Sequence, residues 1–255
     1  MTKVKAKKHL GQHFLKDENI AIKTVALLQE TKKTVIEIGP GMGMLTKYLI
    51  EKNVLLQIIE IDQESVKYLK INYPELKDKI KRCDFLKLNI QQEFENNISI
   101  IGNFPYNISS QIIFKILKNK NQINEVVGMF QKEVAERLVA KKGRKRGILS
   151  VFTQAFYNIE YCFTINENVF FPKPKVKSAV IRLERNNRLS LACNEELFFK
   201  IIKTSFNQRR KTLKNALKSF NLLNTKEISE FLTRRAEELT VENFINITLH
   251  VQKNK

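Results

Sequence analysis

Three of the eight glycines in this 255-residue chain fall within five positions, in Gly39-Pro40-Gly41-Met42-Gly43. Thr34-Val35-Ile36-Glu37-Ile38 before them reads as a short buried strand, and Met44, Leu45, Tyr48 and Leu49 after them recur at helical spacing. A glycine-rich turn from strand to helix constrains the fold, because it lets a ligand approach bare backbone at the edge of an open α/β sheet. The rest of the N-terminal half obeys the same frame. Asp17 is placed to cap a helix with the stripe Ile20, Thr24, Leu27 and Leu28. Val54 to Ile61 is a second strand, followed by a helix carrying Val66 and Leu69. A third strand ends near Asp84, and a fourth, Ile98 to Ile101, runs into Gly102-Asn103-Phe104-Pro105-Tyr106. This alternation predicts an α/β chain built on a doubly wound parallel sheet.

The last third changes character. Leu197, Phe198, Ile201 and Ile202 form one helical stripe, and Leu213, Ala216, Leu217 and Phe220 another. Asn224 with Glu227 has the form of a capping box, and Thr240 is placed to cap a last helix. Glycine is absent after Gly147, and no strand is expected beyond Leu183. A boundary in the polar stretch Glu184 to Asn194 gives a first domain over residues 1–186 and a small all-helical domain over 187–255.

Charge narrows the choice of partner. Lysine and arginine number 45 against 26 acids, a formal charge of +19, which suits nucleic acid or an acidic membrane surface. The basic residues are clustered. Lys3 to Lys16 holds five lysines and no acid, Lys141 to Arg146 is basic at every position but Gly143, and Lys200 to Lys218 holds seven basic residues and no acid. Acid-free clusters on one chain favour nucleic acid, with Lys141, Lys142, Arg144, Lys145, Arg146, Arg209, Arg210 and Lys211 as candidate phosphate contacts. No apolar run is long enough to span a membrane, and no secretory leader is recognisable. Three widely spaced cysteines without a C-x-x-C pair suit the cytoplasm, and His9 and His250 lack partners at metal-ligand spacing, so no metal is expected.

The strand ends carry the chemistry. Met44 stands where the dinucleotide fingerprint wants a small residue, and no Gly-Lys-Ser/Thr follows, so neither a pyrophosphate site nor a Walker loop fits Gly39 and Gly41. Glu60 closes the second strand, where a carboxylate accepts both ribose hydroxyls in nucleoside-binding folds of this type. Asp84 closes the third, where it can accept from an adenine amino group. Together these residues describe a site for a nucleoside cofactor without a pyrophosphate, and S-adenosylmethionine fits that description.

At the fourth strand end, Asn103-Phe104-Pro105-Tyr106 suits an attack by adenine N6. That amine is a poor nucleophile because its lone pair is delocalised into the ring. Accepting both of its hydrogens, through the Asn103 side-chain oxygen and the Pro105 carbonyl, pulls the nitrogen toward a pyramid and frees the pair. Tyr106 would stack on the base. Attack on a sulfonium neutralises charge, so a dry aromatic pocket suits the step.

These motifs give the chain a resemblance. It resembles the ribosomal RNA adenine-N6 dimethyltransferase family, in particular its bacterial small-subunit branch, and the likeness runs nearly end to end. It is carried by 8–15 (KHLGQHFL), 37–41 (EIGPG), 102–109 (GNFPYNIS), 131–138 (QKEVAERL), 170–176 (FFPKPKV) and 206–213 (FNQRRKTL). The resemblance implies a Rossmann-like methyltransferase fold and S-adenosylmethionine as cofactor, leaving as S-adenosylhomocysteine. It implies contacts to that cofactor from His13, Leu15, Gly39, Glu60, Asp84 and Asn103, and a second aromatic wall at Phe170. The implied substrate is a pair of adjacent adenines in the hairpin loop near the 3′ end of small-subunit RNA, dimethylated on a late precursor of that subunit; a monomer is the default expectation for an enzyme that docks on such a particle. Two positions depart from the family pattern, His13 for Asn and Phe104 for Leu. Two alternatives stay open on sequence: the large-subunit relative linked to antibiotic resistance, and an RNA-binding assembly factor without catalysis.

Overall fold

The branched apolar runs become strands where their pattern placed them. In chain order, the computed structural model carries β1 (Phe14–Leu15), α1 (Glu18–Ala26), β2 (Thr34–Ile38), α2 (Met44–Glu51), β3 (Leu55–Glu60), α3 (Gln63–Asn72) and β4 (Ile80–Arg82). There follow α4 (Ile90–Glu93), β5 (Ile98–Asn103), α5 (Ser109–Lys118), β6 (Ile123–Gln131), α6 (Lys132–Val139) and α7 (Ile148–Phe156). Three strands come next, β7 (Tyr157–Ile165), β8 (Phe170–Phe171) and β9 (Ser178–Arg185). Helices α8 (Glu195–Asn207), α9 (Leu213–Ala216), α10 (Ser229–Leu232) and α11 (Val241–Lys253) complete the order. The structure describes residues 4–29, 33–94, 97–220, 222 and 228–253; Asn224 and Glu227 lie outside the described residues. Among them no helix is long and apolar enough to cross a membrane.

Seven strands form one sheet in the order β4-β3-β2-β5-β6-β9-β7, and β1 pairs antiparallel with β8 in a separate ribbon. From β4 to β6 the pairing is parallel, and β9 runs antiparallel to β6. Parallel strands covered on both faces read as continuous apolar runs. Val35, Ile36, Ile58, Ile100, Val126 and Val127 are accordingly buried outright, each worth about 1.5–3 kcal/mol. The chain winds from β2 outward to β4 and then crosses back to β5 beside β2. That reversal opens a crevice at the carboxyl ends of the strands.

Local signals set the helix starts. The Asp17 carboxylate accepts from the Ile20 amide (3.1 Å) ahead of α1, and the Asn243 amide donates to Thr240 Oγ1 (3.2 Å) at the start of α11. In the middle of the sheet the buried Glu125 carboxylate accepts from Arg182 Nε on β9 (2.6 Å) and from the backbone amide of Gln29 (3.2 Å). A buried charge met in this way ties the end of α1 to the sheet.

The chain divides into two compact units, Met1–Ala135 with Asn158–Arg185 and Glu136–Tyr157 with Asn186–Lys255. The break between Arg185 and Asn186 falls within the polar stretch 184–194, whereas residues 136–157, expected in the first domain, cluster with the helical unit. The reason is packing. Phe152 of α7 meets Phe198 edge-on (5.7 Å between ring centres) and Phe199 (4.3 Å), both on α8. Within that unit Leu197, Phe198, Ile201, Ile202, Leu213, Ala216 and Leu217 are buried as their spacing required.

Candidate active site

A cavity of about 300 Å³ opens at the carboxyl ends of β2, β3 and β5. His13, Leu15, Gly39, Gly41, Glu60, Asp84, Asn103, Pro105 and Tyr106 all line it. The glycine turn supplies its floor. Gly39 holds φ +64°, and a Cβ built there would meet nothing within 4 Å, so the space above this backbone is open to a ligand. At Gly41, also with positive φ, a Cβ would come within 2.7 Å of the Phe14 ring, so only glycine lets β1 lie across the turn.

Glu60 is buried at the end of β3. Its two oxygens accept from the backbone amides of Gly41 (3.1 Å) and Asp62 (2.8 Å), each keeping a lone pair for a ligand. Burial pushes this carboxyl up, and the two amides restrain the shift. Asp84 uses Oδ1 to accept from the Leu86 amide (2.9 Å). Glu37 also lines the cavity, with Thr46 Oγ1 donating to it at 2.6 Å. Burial pushes its carboxyl up to about 8, with the nearby Glu60 charge acting in the same direction. Sequence reasoning gave Glu37 no role, although an acid inside a doubly buried strand is itself a signal.

The N-terminal segment is strapped over this cavity. Asp62 caps α3, and the same buried carboxylate receives Lys7 Nζ, Gln12 Nε2 (3.4 Å) and Ser65 Oγ (3.0 Å). Burial opposes the Asp62 charge, but these donors, Lys7 foremost, hold its carboxyl below the usual range. Asn103 Nδ2 donates to the His13 carbonyl at 2.7 Å, and no described residue donates to its Oδ1. The Pro105 carbonyl accepts from the Ile108 amide (3.2 Å) and keeps a second lone pair. The Tyr106 hydroxyl is bonded to Ser178 Oγ, and one face of its ring is stacked on His13 (5.3 Å between centres, 27° between planes). Both departures from the family pattern thus have a place. His13 backs Tyr106, while Phe104 is buried edge-on to Phe130 (5.1 Å) over the bare backbones of Gly102 and Gly128.

Phe170 and Arg146 lie elsewhere than expected. Phe170 is 1 % exposed, packed in the core with Leu15, Ile165 and Val180, and does not line this cavity. Strand alternation decides this, because β8 turns Phe170 inward and Phe171 outward. Arg146 is 1 % exposed and so, unlike its basic neighbours, does not present its charge to phosphate. It donates to the Ala140 carbonyl (2.8 Å) and Gln154 Oε1 (2.7 Å), and burial lowers its guanidinium to about 10. Arg209 is engaged too, donating to Glu237 and to the Arg144 carbonyl. Lys141, Lys142, Arg144, Lys145, Arg210 and Lys211 are exposed, with Lys145 reaching Glu136 at 2.6 Å. Arg209 thereby joins two basic clusters that are more than sixty positions apart in the chain.

The strand order and the glycine turn on this cavity are those of the Rossmann-like methyltransferase fold. Two solved structures share the fold: a dimethyladenosine transferase from Plasmodium falciparum (TM-score 0.81, 24% identity, 94% of this chain and 98% of that one) and the 23S rRNA methyltransferase ErmE (TM-score 0.72, 21% identity, 94% and 99%). The chain belongs to the ribosomal RNA adenine dimethylase family, whose model matches residues 3–253. It is similar to the Ribosomal RNA small subunit methyltransferase A of Flavobacterium johnsoniae (58% identical, 99% of this chain and 98% of the relative). It is likewise similar to the protein of that name from Cytophaga hutchinsonii (55%, 97% and 98%).

Proposed function

We propose that the protein uses S-adenosylmethionine to dimethylate N6 of two adjacent adenines in the 3′-terminal hairpin loop of small-subunit ribosomal RNA. One observation carries the reading: the Asn103 turn opens on the same cavity as the glycine turn and Glu60. The residues present fit the cofactor, since Gly39 leaves open space and Glu60 keeps lone pairs for ribose hydroxyls. Asp84, His13 and Leu15 complete the enclosure. Bound there, S-adenosylmethionine would supply an electrophilic methyl group and leave as S-adenosylhomocysteine.

The protein's own part is acceptance and alignment. Asn103 Oδ1 and the spare lone pair of the Pro105 carbonyl take the two N6 hydrogens, and Tyr106 offers the base the face that His13 does not cover. No side chain need act as a strong base, because the methylated amine is acidic enough to lose its proton to water. Loop adenines suit the site, since they can be splayed out more cheaply than paired bases.

Lys141, Lys142, Arg144, Lys145, Arg210 and Lys211 supply phosphate contacts. The names of the two relatives favour the small subunit over the large one. A pure binder has no use for Glu60, Asp84 and Asn103 around one cavity. We place the work on a late small-subunit precursor in the cytoplasm, performed by a monomer; the free cysteines Cys83, Cys162 and Cys193 suit that compartment. Incubation of undermethylated small subunits, and of large subunits in parallel, with the protein and the donor, followed by nucleoside mass spectrometry, should yield two dimethyladenosines per small subunit. Their absence, or their appearance in large-subunit RNA instead, would refute the proposal.

A further inference from the structure

We infer that Phe171 is a stacking platform for the nucleotide beside the target adenine, an extension of the reaction site that rests on the function proposed above. The segment 171–177 is fastened at both ends to the residues around Tyr106. At one end the Pro172 carbonyl accepts from His13 Nδ1 (2.6 Å), and the His13 ring lies against Tyr106. At the other, Ser178 Oγ is bonded to the Tyr106 hydroxyl. Between these anchors only Pro174 is buried.

What the loop presents is unusual for a solvated turn. Phe171 is 57 % exposed and Val176 44 %, while Lys173, Lys175 and Lys177 are exposed between and beside them. No acid occurs from 170 to 178, although Lys173 reaches back to Glu167 at 3.6 Å. An exposed aromatic face interleaved with cations matches single-stranded nucleic acid, whose bases stack while its phosphates meet the charges. Two prolines stiffen the loop, so little freedom is lost on binding. Turning one adenine into the pocket beside Tyr106 strips its neighbour of a stacking partner. Phe171 restores one.

Steady-state methylation of undermethylated small subunits tests this directly. Phe171→Ala should raise KM for the subunit about tenfold, with kcat within about twofold and cofactor affinity by calorimetry unchanged, while Phe171→Tyr keeps the wild-type KM. The decisive comparison uses subunits in which each of the two adenines in turn is replaced by uracil, with methylation read at the other. In one of these substrates the wild type should lose most of the same factor and Phe171→Ala should lose little more. An unchanged KM in Phe171→Ala, or a loss that simply multiplies with the base replacement in both substrates, overturns the inference alone. A wild type that leaves small subunits unmodified takes down the proposed function and this inference together.

Discussion

The side-chain nitrogen of Asn103 donates to the backbone carbonyl of His13 across 2.7 Å. One hydrogen bond thereby fixes which end of the amide faces the cavity, and it also ties the N-terminal strap to the end of β5. Asn103→Asp would place a carboxylate against that carbonyl, losing both the bond and the orientation. Methyl transfer should fall by on the order of 10²-fold or more in Asn103→Asp and be abolished in Asn103→Ala. RNA affinity should stay close to wild type in both. Single-turnover rates and a filter-binding titration check the split, and full activity in Asn103→Ala would remove this residue from the mechanism.

Glu237 gives a prediction whose sign opposes simple electrostatics. Its carboxylate holds Arg209, which in turn donates to the Arg144 carbonyl, and the Glu237 carbonyl accepts from the Gly143 amide (3.0 Å). Removing an acid from a basic surface ordinarily tightens RNA binding. If Glu237 instead shapes the 141–146 loop, Glu237→Gln should weaken RNA affinity about threefold or more at fixed salt. Tighter binding in that variant would mean that the ion pair only neutralises charge.

Phe104 and Gly128 should behave as a coupled pair. A Cβ at Gly128 would lie 2.5 Å from the Phe104 ring and 2.6 Å from Phe130. Gly128→Ala is expected to cost about 1–3 kcal/mol of stability, and adding Phe104→Leu should recover the part due to the Phe104 ring while leaving the contact with Phe130. Gly102→Ala is the contrasting case, because its Cβ would also meet the Ile38 carbonyl at 2.6 Å, which no change at Phe104 relieves. Denaturant unfolding of the wild type, the single variants Gly128→Ala, Gly102→Ala and Phe104→Leu, and the two double variants measures the coupling.

Glu37 makes stability depend on pH. Its carboxyl is raised to about 8 by burial, so between the ordinary carboxylate range and about 8 the folded chain holds a proton that the unfolded chain has released. The slope is therefore negative, and stability falls as pH rises through that window, levelling off above it. Glu37→Gln keeps a neutral partner for Thr46 and should flatten the profile. The buried Glu60 acts in the same direction and its charge also raises Glu37, so the difference between wild type and variant reports Glu37 together with that coupling. Thermal unfolding from pH 5 to pH 9 reads it; parallel profiles would show that Glu37 is charged in the folded state.

Much of the molecule was legible in local pattern. Glycines at 39, 41 and 43 hold positive φ because the turn needs it, and the strand β2 spans the residues its apolar run marked. Strand ends line the cavity because a parallel sheet brings its carboxyl ends to one edge, so Gly39, Glu60, Asp84 and Asn103 could be grouped without any knowledge of contacts. What composition and spacing left undecided was the partner of each side chain. Arg146 looks like its basic neighbours, yet Ala140 and Gln154 draw it inside. Phe170 and Phe171 are the same residue type, and the pairing of β8 with β1 alone decides which faces the core. Residues 136–157 carry no linker signal, and the apolar face of α7 finds its match on α8 some fifty positions later. Periodicity and turn chemistry are properties of neighbours in the chain, so the sequence settles them; burial and pairing depend on residues brought together from afar, and only the folded arrangement selects among them.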